Sequence, residues 1–162
     1  MLRLLFGALL VLAMSACRRG NPDEAARIAE EAVTRFHTAY GQARFGELCQ
    51  SAEPGAIFPE NKPGAVMQSN GHEFKPWPVA SCPEHLTYVH DRLGNVLDAK
   101  RVQMPYVVDR PAAEIVELEY EAHCDRGQAR ERFDWRVAAG TAKLVSYRIE
   151  SHALDPKPEQ PR

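Results

Sequence analysis

The order of apolar and polar positions divides the chain into a first half with helical periodicity and a second half that alternates. From Asp23 to about Ala43, apolar residues recur every three or four positions. This predicts an amphipathic helix, with Asn21 as its cap and Pro22 in its first turn. The stretch RFGELC predicts a short second helix, and SCPEHLTYVHDRL predicts a third helix that ends at Gly94. The apolar stripe of the first helix comprises Ile28, Ala32, Val33, Phe36, Tyr40 and Ala43.

After Gly94 the apolar residues occupy every second position, which predicts β-strands. The predicted strands cover residues 96–108 with a break at Pro105, 114–124, 129–137 and 142–151. Helices followed by a run of antiparallel strands are typical of the α+β class. The inward-facing positions are Val116, Leu118, Tyr120, Ala122, Cys124, Glu131, Phe133, Trp135, Val137, Val145, Tyr147 and Ile149.

A turn at Arg126-Gly127 would set the register of the hairpin formed by the second and third predicted strands. The expected inner pairs are Tyr120–Phe133, Leu118–Trp135 and Val116–Val137, and the expected outer pairs are Glu121–Arg132, Glu117–Arg136 and the unfavourable Glu119–Asp134. The last strand is followed by DPKPEQPR, a proline-rich tail without periodicity.

The N-terminus has the pattern of a targeting signal. Leu4 to Met14 is an apolar run after Arg3, and its roughly 11 residues are too few for the ~20 that a membrane-spanning helix needs. A short charged start, a short apolar core and small residues after it predict a secretory signal peptide. Met14-Ser15-Ala16-Cys17 resembles a bacterial lipobox.

The lipobox resemblance implies cleavage between Ala16 and Cys17, with Cys17 becoming the lipidated first residue. Arg18, in place of an aspartate, implies an outer-membrane anchor that faces the periplasm. The alternative is an ordinary signal peptide with a cysteine nearby. Without residues 1–16 the formal charge is 19 minus 22, or −3.

Lipidation of Cys17 would leave three cysteines for an oxidising compartment, so we expect one disulfide and one free thiol. The preferred pair is Cys49–Cys82, which brackets a segment interrupted by eight prolines and glycines and would stabilise it by about 3–4 kcal/mol. Cys124 could instead be the partner of Cys82, or all three could be small buried hydrophobes. The bracketed loop, residues 51–81, could itself be functional.

No motif for catalysis or cofactor binding is present. The net charge of −2 does not point to nucleic acid. His85 and His90 are five residues apart, His123 and Cys124 point to opposite faces of a strand, and no metal-binding or phosphate-binding spacing occurs. We therefore predict no catalytic constellation, no metal and no cofactor.

Four stretches together resemble the nuclear transport factor-like (cystatin-like) domains of secreted bacterial proteins: RFHTAYGQARFGELC, RLGNVLDAK, VELEYEAHCDRGQARERFDWRV and AKLVSYRIES. The resemblance covers residues 23–152 and departs from the family pattern at 51–81. It implies long helices packed into a curved antiparallel sheet that forms a cone with a pocket. The chain then divides into a signal peptide (1–16), a tether (17–22), the domain (23–152) and the tail (153–162).

The candidate pocket residues are Tyr120, Glu131, Phe133, Trp135 and Tyr147. Glu131 is a candidate base on an apolar wall, although we expect it near a strand end that is open to water. We expect the two tyrosines to be core residues with hydroxyls at the rim.

The leading hypothesis is a non-enzymatic, lipid-anchored domain that binds a protein partner or a small apolar ligand. The alternatives are a small acid–base enzyme that uses Glu131 and a tyrosine, and a structural or inhibitory module that acts through the 51–81 loop with an exposed Trp77. The sequence gives no indication of the oligomeric state.

Overall fold

A computed structural model describes residues 21–53, 67–69, 72–74, 82–110 and 112–154. Its helices are α1 (Pro22–Gly41), α2 (Phe45–Ser51), α3 (Cys82–Leu93) and a short 3₁₀ helix (His152–Leu154). Its strands are β1 (Met67–Ser69), β2 (His72–Phe74), β3 (Val96–Arg101), β4 (Tyr106–Arg110), β5 (Ala113–Cys124), β6 (Gly127–Ala138) and β7 (Thr141–Glu150). The predicted α+β class is confirmed.

The main sheet is antiparallel and has five strands, with β5 and β6 in its centre and β7 beside β6. Both β3 and β4 pair with the other edge of β5. The predicted break at Pro105 is confirmed, because β3 ends at Arg101 and β4 begins at Tyr106. A proline cannot donate to a β-ladder, so the edge strand is interrupted there.

Helix α1 packs against the inner face of this sheet. The Asn21 side chain accepts a hydrogen bond from the Asp23 amide at 3.1 Å, which confirms the predicted cap. The expected position of Ala43 on the apolar stripe is wrong, because the helix ends at Gly41 and Ala43 is exposed with a left-handed φ of 53°. The buried positions of α1 are Ala25, Ile28, Ala29, Ala32, Val33, Phe36, Ala39 and Tyr40.

The predicted register of the β5–β6 hairpin is wrong by two residues. Cys124 pairs with Gly127, so the turn is Asp125-Arg126. The Asn95 amide donates to the Asp125 carboxylate at 2.8 Å, and this contact ties the turn to the connection between α3 and β3. A shift of two residues keeps every side chain on its predicted face. The observed pairs include Tyr120–Glu131, Leu118–Phe133, Val116–Trp135, Glu117–Asp134, Glu119–Arg132 and Glu121–Arg130.

Gly94 ends α3 in the left-handed conformation, as predicted, with φ at +75°. A β-carbon at this position would lie 2.5 Å from the β-carbon of Asp125. Glycine is therefore required both by the backbone conformation and by the close approach of the hairpin turn.

The predicted inward position of Val145 is also wrong. An irregularity in the β6–β7 pairing at Asp134–Trp135 shifts the ladder, so that Leu144 is buried and Val145 is half-buried. Tyr147 lies inward as predicted, and Ile149 is half-buried. The shift follows from an extra residue in one strand, which side-chain alternation alone does not reveal.

The expected disulfide Cys49–Cys82 is formed, with Cα atoms 5.9 Å apart. Cys124 is a buried free thiol. Within the segment predicted as a loop, β1 and β2 form a small antiparallel hairpin. Both strands fall in short runs free of proline and glycine, which permit a local ladder.

Candidate functional site

Glu131 is the buried charged residue of the core, with 1% of its surface exposed. It lies on β6 between Ala129 and Phe133, on the inner face that its position in the alternation predicts. The expectation that Glu131 would lie on an open, wetted end of the sheet is wrong. Helix α1 covers this part of the inner face and removes the carboxylate from water.

Two side chains hold the Glu131 carboxylate. The Tyr147 hydroxyl donates to Oε1 at 2.8 Å, and His37 Nε2 lies 2.8 Å from Oε2. An ionised carboxylate can only accept, so with Glu131 ionised the proton of this hydrogen bond lies on His37 Nε2. We call His37, Glu131 and Tyr147 the buried triad. It joins α1, β6 and β7 across the core.

Aromatic rings enclose the buried triad. The Phe36 ring lies 4.9 Å from the Tyr147 ring and 5.2 Å from the Phe133 ring. The His37 ring meets Phe133 edge-on at 5.8 Å and Tyr120 at 6.3 Å. Such a surrounding has a low dielectric, which strengthens the internal hydrogen bonds and penalises an unpaired charge.

Burial raises the pKa of Tyr147 well above its usual 10, and the negative charge of Glu131 raises it further. The expectation of a hydroxyl at the rim is therefore wrong for Tyr147, whose hydroxyl points into the core and stays protonated as a donor. Tyr120 is buried too, and burial likewise raises its pKa.

The triad can orient an imidazole, since Glu131 holds the His37 ring and Tyr147 holds the carboxylate. His37 is the member that keeps contact with solvent, with 16% of its side chain exposed. Two surface cavities among the described residues lie elsewhere, and neither is lined by Glu131 or Tyr147. Both Glu131 oxygens already take part in hydrogen bonds with His37 and Tyr147. This arrangement is typical of a structural hydrogen-bond network, whereas a general base needs a free oxygen that can reach the substrate.

The larger cavity is a groove of about 270 Å³ between α1, α2 and the β6–β7 edge, which we call the α1–α2 groove. Its wall is mostly apolar and is formed by Ala32, Phe36, Ala39, Leu48, Trp135 and Leu144. Arg35, Arg44 and Glu47 also line it. Arg44 pairs with Glu47 at 2.8 Å, whereas Arg35 has no ion pair within the described ranges.

Trp135 is one of the apolar residues of this wall and also carries a polar atom. The indole Nε1 is buried and has no hydrogen-bond partner in the described part of the chain. An enclosed donor without an acceptor costs about 1–3 kcal/mol, so the indole N–H gains from any acceptor that reaches it.

The second cavity, of about 200 Å³, lies on the outer face of the sheet among Glu119, Arg130, Arg132, Arg148 and Glu150. Arg130 pairs with Glu119, and Arg132 pairs with Glu117. Charges of both signs alternate across this face. It is therefore a lattice of partly exposed ion pairs, which agrees with the sequence pattern of glutamates beside arginines.

The free thiol of Cys124 lies at the end of β5. Burial raises its pKa to about 11, and the charges of Glu131 and Asp125 add to the effect. A thiol that stays protonated at neutral pH is a poor nucleophile. Among the described residues, no group of three or more histidine, cysteine, aspartate or glutamate side chains is positioned to hold a metal ion.

The structure brings together four of the five predicted pocket residues, namely Tyr120, Glu131, Phe133 and Tyr147. Trp135 stacks on Phe133 and lines the α1–α2 groove instead.

His37 was not predicted as a site residue from the sequence. The sequence feature that indicates a half-buried His37 is its position at the edge of the apolar stripe, four residues after Val33 and directly beside Phe36. Ala16, Cys17 and Trp77 lie outside the described residues.

Comparison of the chain with family models, with curated proteins and with solved structures finds no match. In the ranges that the structure describes, no helix is both long and apolar enough to cross a membrane.

Proposed function

We propose that the chain is a lipid-anchored domain of the bacterial cell envelope that binds a small apolar ligand carrying a hydrogen-bond acceptor. The observation that carries the binding role is the α1–α2 groove, whose wall includes Trp135, a residue with a buried indole N–H that has no acceptor in the described part of the chain. Binding pockets are mostly apolar with a few polar groups that orient the ligand, and this groove has that composition.

The size and charge of the groove limit the ligand. Its volume of about 270 Å³ is at the small end for ligand sites, so a molecule with a short apolar chain fits best. Arg35 has no ion pair in the described part of the chain, and it supplies a cation for an acidic head group. A short-chain carboxylate satisfies both features, since its tail contacts Phe36 and Leu144 while its oxygens accept from donors.

Two features support the envelope location. Cys17 follows Met14-Ser15-Ala16 in the order of a lipobox, and the Cys49–Cys82 disulfide fits an oxidising compartment. In this proposal the anchor is in the outer membrane and the domain faces the periplasm. The sheet with its covering helices would be the nuclear transport factor-like (cystatin-like) cone, which agrees with the helix-on-sheet layers.

Titration with octanoate, followed through the indole N–H signals in ¹H–¹⁵N spectra, tests the binding role. We expect saturable shifts of the Trp135 signal, assigned with a Trp135→Phe variant. Loss of one hydrogen bond of about 1 kcal/mol should weaken binding roughly fivefold in that variant, measured through backbone amide signals of the groove. A parallel titration with octanol, which has the same chain length but no carboxylate, measures how much the carboxylate contributes to the affinity.

The rim of the groove provides a matched pair of control variants. Arg35→Gln should weaken octanoate binding, whereas Glu47→Gln, which removes an acidic group from the same rim, should not. Octanoate that leaves the Trp135 signal unmoved, or shifts that do not saturate, would refute the binding role.

Mass spectrometry of the mature, non-reduced protein tests the anchor. We expect an acylated N-terminal Cys17 and a mass that retains the Cys49–Cys82 bond. A Cys17→Ala variant should leave the membrane fraction, because several acyl chains on one residue supply the anchoring free energy. Persistent membrane association of this variant would contradict the anchor.

Acid–base catalysis at His37 is the second candidate function. The observation in its favour is that the His37 ring, with 16% of its side chain exposed, is held by Glu131, which is in turn held by Tyr147. A substrate would have to contact the exposed ring edge. A screen of small polar compounds tests this candidate. It compares the NMR shifts of the His37 ring signals with those of the Trp135 indole signal, which reports binding in the α1–α2 groove. The candidate is rejected if no compound moves His37 alone.

A further inference from the structure

The edge of the sheet between β3 and β4 exposes apolar side chains close together. Met104 is 84% exposed and Tyr106 is 63% exposed, and Val102 beside them is also exposed. We call these three residues the apolar rim. Single exposed apolar residues are ordinary on protein surfaces, whereas three within five positions of one edge form a patch that gains from being covered.

The direction of α1 identifies the end of the domain on which the apolar rim lies. Gly41, at the end of α1, lies against Asn95, just before β3 begins. Glu30, eleven residues earlier, pairs with Arg101 at the end of β3. Helix α1 therefore runs opposite to β3, and its start points towards the β3–β4 connection.

The first residues of α1 continue past Arg101 alongside this connection. The eight residues from Glu30 back to Pro22 span about 12 Å of helix. The helix also packs against β4, which begins at Tyr106. The N-terminus of α1 and the apolar rim are thus at the same end of the domain.

The length of chain before α1 limits the distance between this end and the lipid. Only Arg18, Arg19, Gly20 and Asn21 separate Cys17 from Pro22. Five fully extended steps span at most about 18 Å. A lipidated Cys17 would hold the start of α1 within that distance of the bilayer, and Arg18 and Arg19 would lie at a surface that attracts cations.

We propose that the apolar rim is a second, non-covalent contact with the phospholipid surface, so that the domain rests on the membrane in a fixed orientation. The inference rests on the lipid anchor of the proposed function. Tyr106 suits the boundary between headgroups and acyl chains, because its ring is apolar and its hydroxyl is polar. Met104 supplies a flexible apolar side chain that enters the acyl region.

Leu97 provides a matched control position. It is 68% exposed and lies on β3 at the opposite end, near Asn95 and the end of α1. Leu97 is apolar like the rim and its exposure lies between those of Met104 and Tyr106, but α1 places it away from the anchored end. If every exposed apolar residue contacted the membrane, Leu97 would do so as well. The proposed orientation leaves Leu97 in water.

Spin labels measure the depth of both positions in the acylated full chain. Met104→Cys and Leu97→Cys variants are labelled, since Cys49 and Cys82 are bonded and the buried Cys124 thiol is unreactive. The proteins are reconstituted in vesicles of phosphatidylethanolamine and phosphatidylglycerol. We expect the label at 104 to collide more with oxygen than with a water-soluble nickel chelate, and the label at 97 to show the reverse. Tyr106→Cys repeats the measurement at a second rim position.

The outcomes separate this inference from the anchor. An acylated chain whose labels at 104 and 106 collide with the nickel chelate as strongly as the label at 97 overturns the inference and leaves the anchor intact. An unacylated Cys17 in the mass spectrum overturns the anchor and the inference with it. Broadening between labels at 104 that grows with protein density would assign the rim to a second copy of the chain and overturn the lipid contact.

Discussion

The two faces of β6 carry the same kinds of charged group in opposite surroundings. On the inner face, Glu131 is enclosed by rings and held by His37 and Tyr147. On the outer face, Arg130 and Arg132 pair with Glu119 and Glu117 in contact with water. The comparison teaches that burial decides what a paired carboxylate is worth, because adjacent residues of one strand alternate between the two dielectrics.

The expected magnitudes differ by several kcal/mol. An exposed ion pair contributes about 0–1 kcal/mol, since water already solvates both charges and salt screens them. Breaking a buried pair costs about 3–5 kcal/mol, because the remaining partner loses its compensation. Four experiments can break or sharpen this contrast.

The largest effect is expected for Glu131→Ala. The substitution leaves the buried Tyr147 hydroxyl without an acceptor and opens a void beside Phe133, so the free energy of unfolding should fall by about 3–5 kcal/mol. Urea unfolding at pH 7 measures the loss. Glu119→Ala on the outer face is the control, and equal losses in the two variants would refute the contrast.

A smaller loss is expected for Tyr147→Phe, which keeps the ring contacts with Phe36 and Phe133. Oxygen Oε1 of Glu131 then lacks its donor, which costs about 1–3 kcal/mol. The double variant with Glu131→Ala should lose less than the sum of the two single variants, because the same hydrogen bond is removed in both. Strict additivity in urea unfolding would argue against a coupled triad.

The residues of the inner face could be predicted from the sequence, because the face on which a strand residue lies depends only on whether its position is odd or even (its parity). Glu131 shares its parity with Phe133, and Tyr147 lies at an inward position of the last strand. The two-residue error in the hairpin register left these assignments intact for the same reason. Parity, however, gives the face of a side chain and not its neighbours.

The partner on α1 could not be predicted in the same way. His37 is 94 residues from Glu131, and the contact depends on how α1 is rotated and how far it slides along the sheet. Its position at the edge of the apolar stripe was compatible with either an exposed or a half-buried ring. The bulge that buries Leu144 in place of Val145 was equally invisible, since an extra residue in a ladder leaves no periodic signal.

Alkaline pH should weaken the inner face. The pKa of Cys124 is raised from 9 to about 11 in the folded chain, and that of Tyr147 is raised as well. The stabilisation from the protonated Cys124 thiol is complete below pH 9 and is lost as the pH rises towards 11, because the unfolded chain releases this proton first. The stabilisation from Tyr147 begins to fall only above its usual pKa of 10. Between pH 8 and 10 we expect a loss of about 1 kcal/mol, discounted for solvent near the strand end.

Urea unfolding at several pH values measures this loss. A Cys124→Ala variant should have a flatter profile above pH 9, whereas Arg130→Ala on the outer face should keep the slope of the parent protein. An unchanged slope in Cys124→Ala would show that the thiol does not contribute.

The smallest effect is expected on the outer face. Arg130→Ala removes the pair with Glu119 and should lower the free energy of unfolding by less than about 1 kcal/mol. The effect should decrease further in 1 M salt, where the screening length is about 3 Å, while the loss in Glu131→Ala should hardly change. Urea unfolding of both variants at low and high salt measures the difference. If Arg130→Ala lowered the free energy of unfolding as much as Glu131→Ala, and independently of salt, exposure to water would not explain the difference between the two faces.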